Sequence, residues 1–315
     1  MEHLRSLNDV SPDEIRDIII LAKGIKADPA SYDEALAGKT LLMLFEKPSL
    51  RTRVSFETGM TRMGGHAIFY SIKDSPLGKK ENIHDTAKCA GRYVNLIMAR
   101  TYRQEDIDGL AAYAGVPVIN ALTDRHHPCQ ILSDLLTISE KKGSLKGLKL
   151  AYLGDADNNV THSLLLGCAL TGMHIAIGCP AGSSAPAEDV VAQAKAYAQT
   201  SGSTITITQD AAEAAEDADV VYTDSWMSYH IPAEEKEARR KLFMPYQVNA
   251  ELMRHAKPDA VFMNCLPAER GAEQTAEVID GPQSVVFDQA ENRLWAQNAI
   301  MLTLLKKSFK SFKKS

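Results

Sequence analysis

The sequence predicts an α/β protein: two doubly wound parallel-sheet domains of similar size, with a C-terminal helix packing back on the first. Three observations carry this expectation. Short apolar runs of strand length alternate with helical segments along the chain. The runs lack polar alternation, as strands buried on both faces do. A glycine-bounded break, Gly143 to Gly147, separates two such series, and 315 residues suit about two domains.

The first helix is signalled by Ser11 as N-cap, Pro12 at its first position and Glu14 at its third, then Ile15, Ile18, Ile19, Ala22 and Ile25 at helical spacing. Apolar runs follow at Leu41 to Glu46, Ala67 to Ser71, Val94 to Ala99 and Val116 to Ala121. A helix from Cys129 to about Lys142 ends at Gly143. The second series of runs comprises Leu148 to Leu153, Ile175 to Gly178, Thr204 to Thr208, Val220 to Tyr222, Val261 to Asn264 and Val285 to Phe287. A long helix is expected from Glu291 to Leu305. The expected domains are 1–142, joined by the helical segment 291–315, and 143–290.

Composition excludes several classes. Hydrophobic residues at 45% and charged residues at 24% argue for a globular chain, and no run reaches membrane-spanning length. The net charge of −5 removes the electrostatic reason to expect nucleic acid as a partner. The basic tail Lys306 to Lys314, with interleaved aromatics, could suit RNA or an anionic membrane surface, but better fits a terminal helix whose Leu304, Leu305 and Phe309 pack inward, with lysines at the negative end of its dipole. The first residues have no apolar stretch of signal length, and Cys89, Cys129, Cys168, Cys179 and Cys265 show no C-x-x-C spacing. Reduced thiols, a cytoplasmic location and no structural metal are therefore expected.

Ligands of open α/β sheets bind beyond the carboxyl ends of the strands, which directs attention to the polar residues after each apolar run. Pro48 disfavours helix at Lys47, so a helix should begin near Ser49 to Arg51 with its free N–H groups outward. Ser49, Thr52 and the guanidinium groups of Arg51 and Arg53 add donors for a highly charged oxyanion; the structural alternative is a capped helix with solvated arginines. His127 and Gln130 in His127-Pro128-Cys129-Gln130 suit a neutral carbonyl or amide, although a helix-start histidine is often a cap and His126 stands beside it. The turn Gly154 to Asn159 sits where a dinucleotide fingerprint would, yet lacks its glycines. Its carboxylates and amides suit an amino or carboxylate group, and Asp224 and Ser228 suit an ammonium group, with turn capping as the alternative for all of them.

In combination these motifs resemble the aspartate/ornithine carbamoyltransferase family, in order across nearly the whole chain. Ser49-Leu50-Arg51-Thr52-Arg53 matches its S-x-R-T-R motif, Arg100 its isolated arginine, and His127 to Gln130 its H-P-x-Q. Asp155 to Asn159, Thr223 to Ser228, Cys265-Leu266-Pro267 and Glu291-Asn292-Arg293 resemble the ornithine branch. The resemblance implies transfer of the carbamoyl group of carbamoyl phosphate to the side-chain amine of ornithine, giving citrulline and phosphate without metal or cofactor. It implies that Ser49, Leu50, Arg51 and Thr52 hold the phosphate, while Arg100, His127, Gln130 and Arg293 surround the carbamoyl group. Thr52, Arg100 and His127 would stabilise the oxyanion of a tetrahedral intermediate. Cys265 and the Leu266 carbonyl would line the meeting point, and Asn159, Asp224 and Ser228 would hold the amino-acid end of the acceptor, with Tyr229 in the same wall. A homotrimer, or a multiple of trimers, is implied as well.

Three motifs depart from the ornithine branch. Ser228-Tyr229-His230 replaces its usual Ser-Met-Gly, Asn264 replaces a histidine before Cys265, and Pro76 replaces a Gln or His in a loop that reaches a neighbouring subunit, with Ser75, Lys79 and Lys80 nearby. These keep other acceptors in view, namely putrescine, lysine or a modified ornithine, together with a non-catalytic binding protein. A nicotinamide-dependent oxidoreductase shares the α/β pattern but needs the missing glycine fingerprint.

Overall fold

The computed structural model describes residues 1–72, 81–182, 184–227 and 233–312, side chains at 233 and 307–312 excepted. The chain forms two compact units, Met1–Leu136 with Glu291–Ser315, and Thr137–Ala290.

In the first unit the elements are α1 (Pro12–Ala27), β1 (Thr40–Phe45), α2 (Leu50–Arg62), β2 (His66–Ser71), α3 (Ile83–Ala90), β3 (Leu96–Arg100), α4 (Gln104–Tyr113), β4 (Val118–Leu122) and the start of α5 (Pro128–Lys142). α1 begins as its sequence dictates: Ser11 Oγ accepts the Glu14 N–H at 3.2 Å and Glu14 Oε2 accepts the Ser11 N–H at 3.1 Å. Its Ile15, Ile18, Ile19, Ala22 and Ile25 face the core. The four strands are parallel in the order β2-β1-β3-β4. Strand order turns outward on either side of β1 and β3, the doubly wound arrangement, so the ligand-binding crevice is expected beyond Phe45 and Arg100. β3 is buried throughout, whereas the edge strand β2 alternates exposed and half-buried residues.

In the second unit the elements are β5 (Lys149–Leu153), α6 (Asn159–Thr171), β6 (His174–Gly178), α7 (Glu188–Ser201), β7 (Ile205–Thr208), α8 (Ala211–Ala215), β8 (Val220–Thr223), α9 (Lys236–Phe243), α10 (Ala250–Met253), β9 (Val261–Met263), α11 (Ala276–Ile279) and the start of α12 (Val286–Phe312). Its parallel strands run β7-β6-β5-β8-β9, with the reversal between β5 and β8. The turns after Leu153, Thr223 and Met263 therefore emerge at one edge of the sheet.

One expected strand is absent. Val285 to Phe287 opens α12: Val285 donates to the Phe262 carbonyl at 3.0 Å, but its own carbonyl already accepts the Gln289 N–H at 2.8 Å in the helical pattern. Strand-like pairing here is a single bridge, Phe262 to Ser284. Three apolar residues are too few for periodicity to separate a strand from the first turn of a helix. α12 consequently starts five residues before the expected Glu291 and runs to Phe312. Its part in the first unit packs closely on α2, where a Cβ on Gly59 would stand 2.1 Å from Asn298 Oδ1. Leu304 and Leu305 are buried; the Phe309 side chain lies outside the described residues.

Candidate active site

Parallel register sets the first half of the site. Phe45 pairs with Arg100, and Arg100 with Leu122 across an irregularity between Ala99 and Arg100. The segments that follow these three residues therefore leave the sheet side by side. Ser49, in extended conformation, caps α2: its Oγ accepts the Thr52 N–H at 3.3 Å and donates to Thr52 Oγ1 at 3.1 Å. The opening N–H groups of α2, those of Leu50 and Arg51, have no partner within the helix, a ready seat for an anion. The Leu50 side chain is 76% exposed, which leaves its backbone as the useful part.

Buried Arg293 joins three distant parts of the chain. Its Nη1 donates to Gln130 Oε1 at 2.6 Å and its Nη2 to Thr52 Oγ1 at 3.2 Å. Gln130 is held in turn, donating to Asp134 Oδ1 at 2.8 Å. In the amide orientation that satisfies both neighbours, Gln297 accepts from Arg293 Nη2 at 3.0 Å and donates to Ser55 Oγ at 2.6 Å. Arg293 is thus oriented by α2, α5 and its own helix at once.

His127 is buried immediately before α5. Burial first, and then the charges of Arg293, Arg100 and Arg51, push its pKa well below the ordinary histidine value. Near neutral pH the ring is therefore uncharged: it can donate one hydrogen bond to a carbonyl oxygen while the guanidinium groups supply positive charge. Arg53, grouped with Arg51 on sequence, points elsewhere. Its guanidinium pairs with Glu57 at 3.2 Å and lies 3.7 Å from the Phe69 ring centroid.

In the second unit the Cys265 thiol donates to Asp224 Oδ1 at 3.1 Å, and the Ser225 N–H reaches the same oxygen at 2.8 Å. Asn264 is fully buried and braces the loop from beneath. It donates to Gln274 Oε1 at 3.0 Å, accepts the Leu266 N–H at 2.8 Å, and gives its backbone N–H to Gln289 Oε1 at 3.0 Å. The second of these steadies Leu266, whose φ of 57° is unusual for a branched residue. Glu273, also buried, accepts the Glu269 N–H at 2.9 Å in this loop. Burial is the main cause that raises its pKa to about 7, with the charge of Asp224 adding to the rise.

The turn after β5 divides between structure and site. Asn158 caps α6, accepting the Thr161 N–H at 2.9 Å, and Asp155 pairs with Arg239 of α9. The capping alternative thus accounts for Asn158, and ion pairing for Asp155, leaving half-buried Asn159 at the first position of α6 as the binding candidate. Ser228, Tyr229 and His230, and the segment from Ser75 to Lys80, lie outside the described residues. Gln274, Gln289, Gln297 and Glu273 carried no sequence signal, because their partners are set by folding rather than spacing. Among the described residues no cluster of three or more His, Cys, Asp or Glu could hold a metal ion, and no helix is long and apolar enough to cross a membrane.

Residues 2–140 match the carbamoyl-P binding domain of aspartate/ornithine carbamoyltransferase, and residues 146–304 its Asp/Orn binding domain. The chain is 51% identical to ornithine carbamoyltransferase of Bacillus subtilis over 304 residues, 96% of this chain and 94% of that one. It is 49% identical to the Pyrococcus abyssi enzyme of the same name, covering 96% and 95%. The solved ornithine carbamoyltransferase of Pyrococcus furiosus superposes with a TM-score of 0.93 at 48% identity, covering 97% of each chain. The chain belongs to the aspartate/ornithine carbamoyltransferase family.

Proposed function

We propose that the protein transfers the carbamoyl group of carbamoyl phosphate to the side-chain amine of ornithine, releasing citrulline and phosphate. The observation that carries the reading is the convergence on one strand-end cluster of a Ser49-capped helix start, the Arg293 link to Thr52 and Gln130, and an uncharged His127 near three guanidinium groups. This is a seat for a dianion beside a carbonyl. Relatives of about half identity that carry the ornithine carbamoyltransferase name support the choice of acceptor.

In this reading Ser49, Arg51, Thr52 and the Leu50 backbone hold the phosphate, and Arg100, His127, Gln130 and Arg293 orient the carbamoyl group. The neutral amine attacks the carbonyl carbon, and Thr52, Arg100 and His127 donate to the oxygen as it gains charge. Collapse breaks the bond from carbon to the phosphate oxygen; phosphate departs with that electron pair and takes up the proton that the attacking nitrogen loses. Asp224, Asn159, Ser228 and Tyr229 take the amino-acid end of ornithine, with Cys265 and the Leu266 carbonyl near the reacting atoms. Asn264, buried beneath that loop, acts as its brace.

A homotrimer is part of the proposal. Leu50, Val54, Ile68 and Tyr70 are exposed apolar side chains on α2 and the edge strand β2, which pack side by side, and they suit a contact with another copy. The five free cysteines suit a cytoplasmic location. The test is product analysis with carbamoyl phosphate and a panel of ornithine, putrescine, lysine, N-acetylornithine and aspartate. Ornithine should show the highest kcat/KM; an absence of citrulline would overturn the reading, and preference for another amine would overturn the acceptor.

A further inference from the structure

Two consecutive side chains ahead of the phosphate turn are engaged in contacts that the transfer chemistry does not require. Glu46 Oε2 accepts the Tyr102 backbone N–H at 2.9 Å, while the Glu46 N–H donates to the Arg100 carbonyl at 2.9 Å. The Lys47 side chain is only 9% exposed, is paired with Asp124, and places Nζ 4.2 Å from the Tyr102 ring centroid. The Asp124 N–H closes the circuit by donating to the Tyr102 carbonyl at 2.8 Å. Segments following β1, β3 and β4 are thus tied together at one place, and these lead to or from Ser49–Thr52, Arg100 and His127.

A largely buried ammonium must be paired, and an apolar residue could fill the same space without an ion pair. Its direction is what an apolar residue lacks. Lys47 is separated from Ser49 only by Pro48, whose ring fixes one backbone angle and restricts Lys47 to extended conformations. A displacement of Lys47 therefore has fewer backbone angles in which to be absorbed before the helix start that takes the anion.

We propose that Glu46 and Lys47 are positioning residues of the donor site, tying the three strand-end segments so that Ser49–Thr52, Arg100 and His127 meet carbamoyl phosphate together. The inference rests on the functional reading above. Lys47 acts through the turn rather than by touching phosphate, because its ammonium is committed to Asp124 and to the face of Tyr102. Misplacement of such groups by about 1 Å can cost on the order of a hundredfold in rate.

The experiment is steady-state kinetics on the full chain with Lys47→Met, Lys47→Arg and Asp124→Asn, with thermal unfolding measured alongside. Lys47→Met should raise KM for carbamoyl phosphate about tenfold or more and leave KM for ornithine within about twofold, and Lys47→Arg should recover most of the loss. Asp124 is 59% exposed, so Asp124→Asn should fold normally and raise the same KM about threefold. Wild-type kinetic constants in Lys47→Met and Asp124→Asn would overturn the proposal, as would Lys47→Met losing stability with its KM unchanged. A lower KM in Asp124→Asn would also overturn it, since Lys47 would then be a phosphate ligand held off by Asp124. An inactive wild type sinks the functional reading and this inference together; an active wild type beside indifferent variants sinks the inference alone.

Discussion

Arg293 and Arg51 do different work with the same functional group. Arg293 is buried and bonded to Thr52 and Gln130, so Arg293→Met removes a charge and leaves both partners short of a donor. The expected result is a stability loss of about 1 to 3 kcal/mol by denaturant titration, together with weaker binding of carbamoyl phosphate. Arg51 is half-buried, and Arg51→Ala should leave stability nearly unchanged while costing about 1.5 to 3 kcal/mol in calorimetric affinity for a phosphonate analogue. Unchanged affinity would remove Arg51 from the proposed phosphate site. Glu273 gives a pH signature. Its folded pKa of about 7 lies above the ordinary 4.5, so the folded state holds the proton more tightly. Its contribution to stability is complete below about pH 4.5 and is lost as pH rises through about 7. The difference in unfolding midpoint between Glu273→Gln and wild type should therefore shift in favour of the variant from pH 5 to pH 8. A difference that does not change with pH would show that Glu273 titrates normally.

At the scale of elements, the close packing of α2 on α12 in the first unit depends on Gly59. A Cβ there would meet Asn298 Oδ1 at 2.1 Å and Asn298 Cγ at 3.2 Å, and Asn298 is almost fully buried. Alanine is favoured over glycine in a helix by about 1 kcal/mol, but overpacking costs about 1 to 3 kcal/mol, so Gly59→Ala should destabilise on balance. Asn298→Ala in the same chain should recover part of the loss; no recovery would locate the strain elsewhere. The cap at Ser11, the cap at Ser49 and the buried runs behind β1, β3, β5 and β8 could all be read from residue type and spacing. Val285 to Phe287 could not, because whether so short a run pairs or coils is settled by what Val285 meets. Arg53 is a similar case: a neighbour of Arg51 in sequence, it turns to Glu57 and Phe69 because successive helix residues leave on different faces.

For the whole molecule, the proposed trimer gives a direct measurement. Light scattering should return about three times the chain mass of 34.4 kDa, or a multiple of that. Replacing exposed Ile68 and Tyr70 with lysine should lower the mass toward that of a monomer without unfolding the first unit. A monomeric wild type would remove the trimer from the proposal. The sequence by itself determined the α/β class, the breaks between elements and the motifs that carry the family resemblance, since these depend on contacts within a few residues of one another. Only the tertiary structure decided what those residues touch. Thr52 and Arg293 lie 241 positions apart, Arg293 and Gln130 lie 163 apart, and Asn264 finds its partners in Gln274 and Gln289. Local spacing leaves a pattern because backbone geometry repeats every few residues; a hydrogen bond between distant segments leaves none, because parallel register and packing choose its partners.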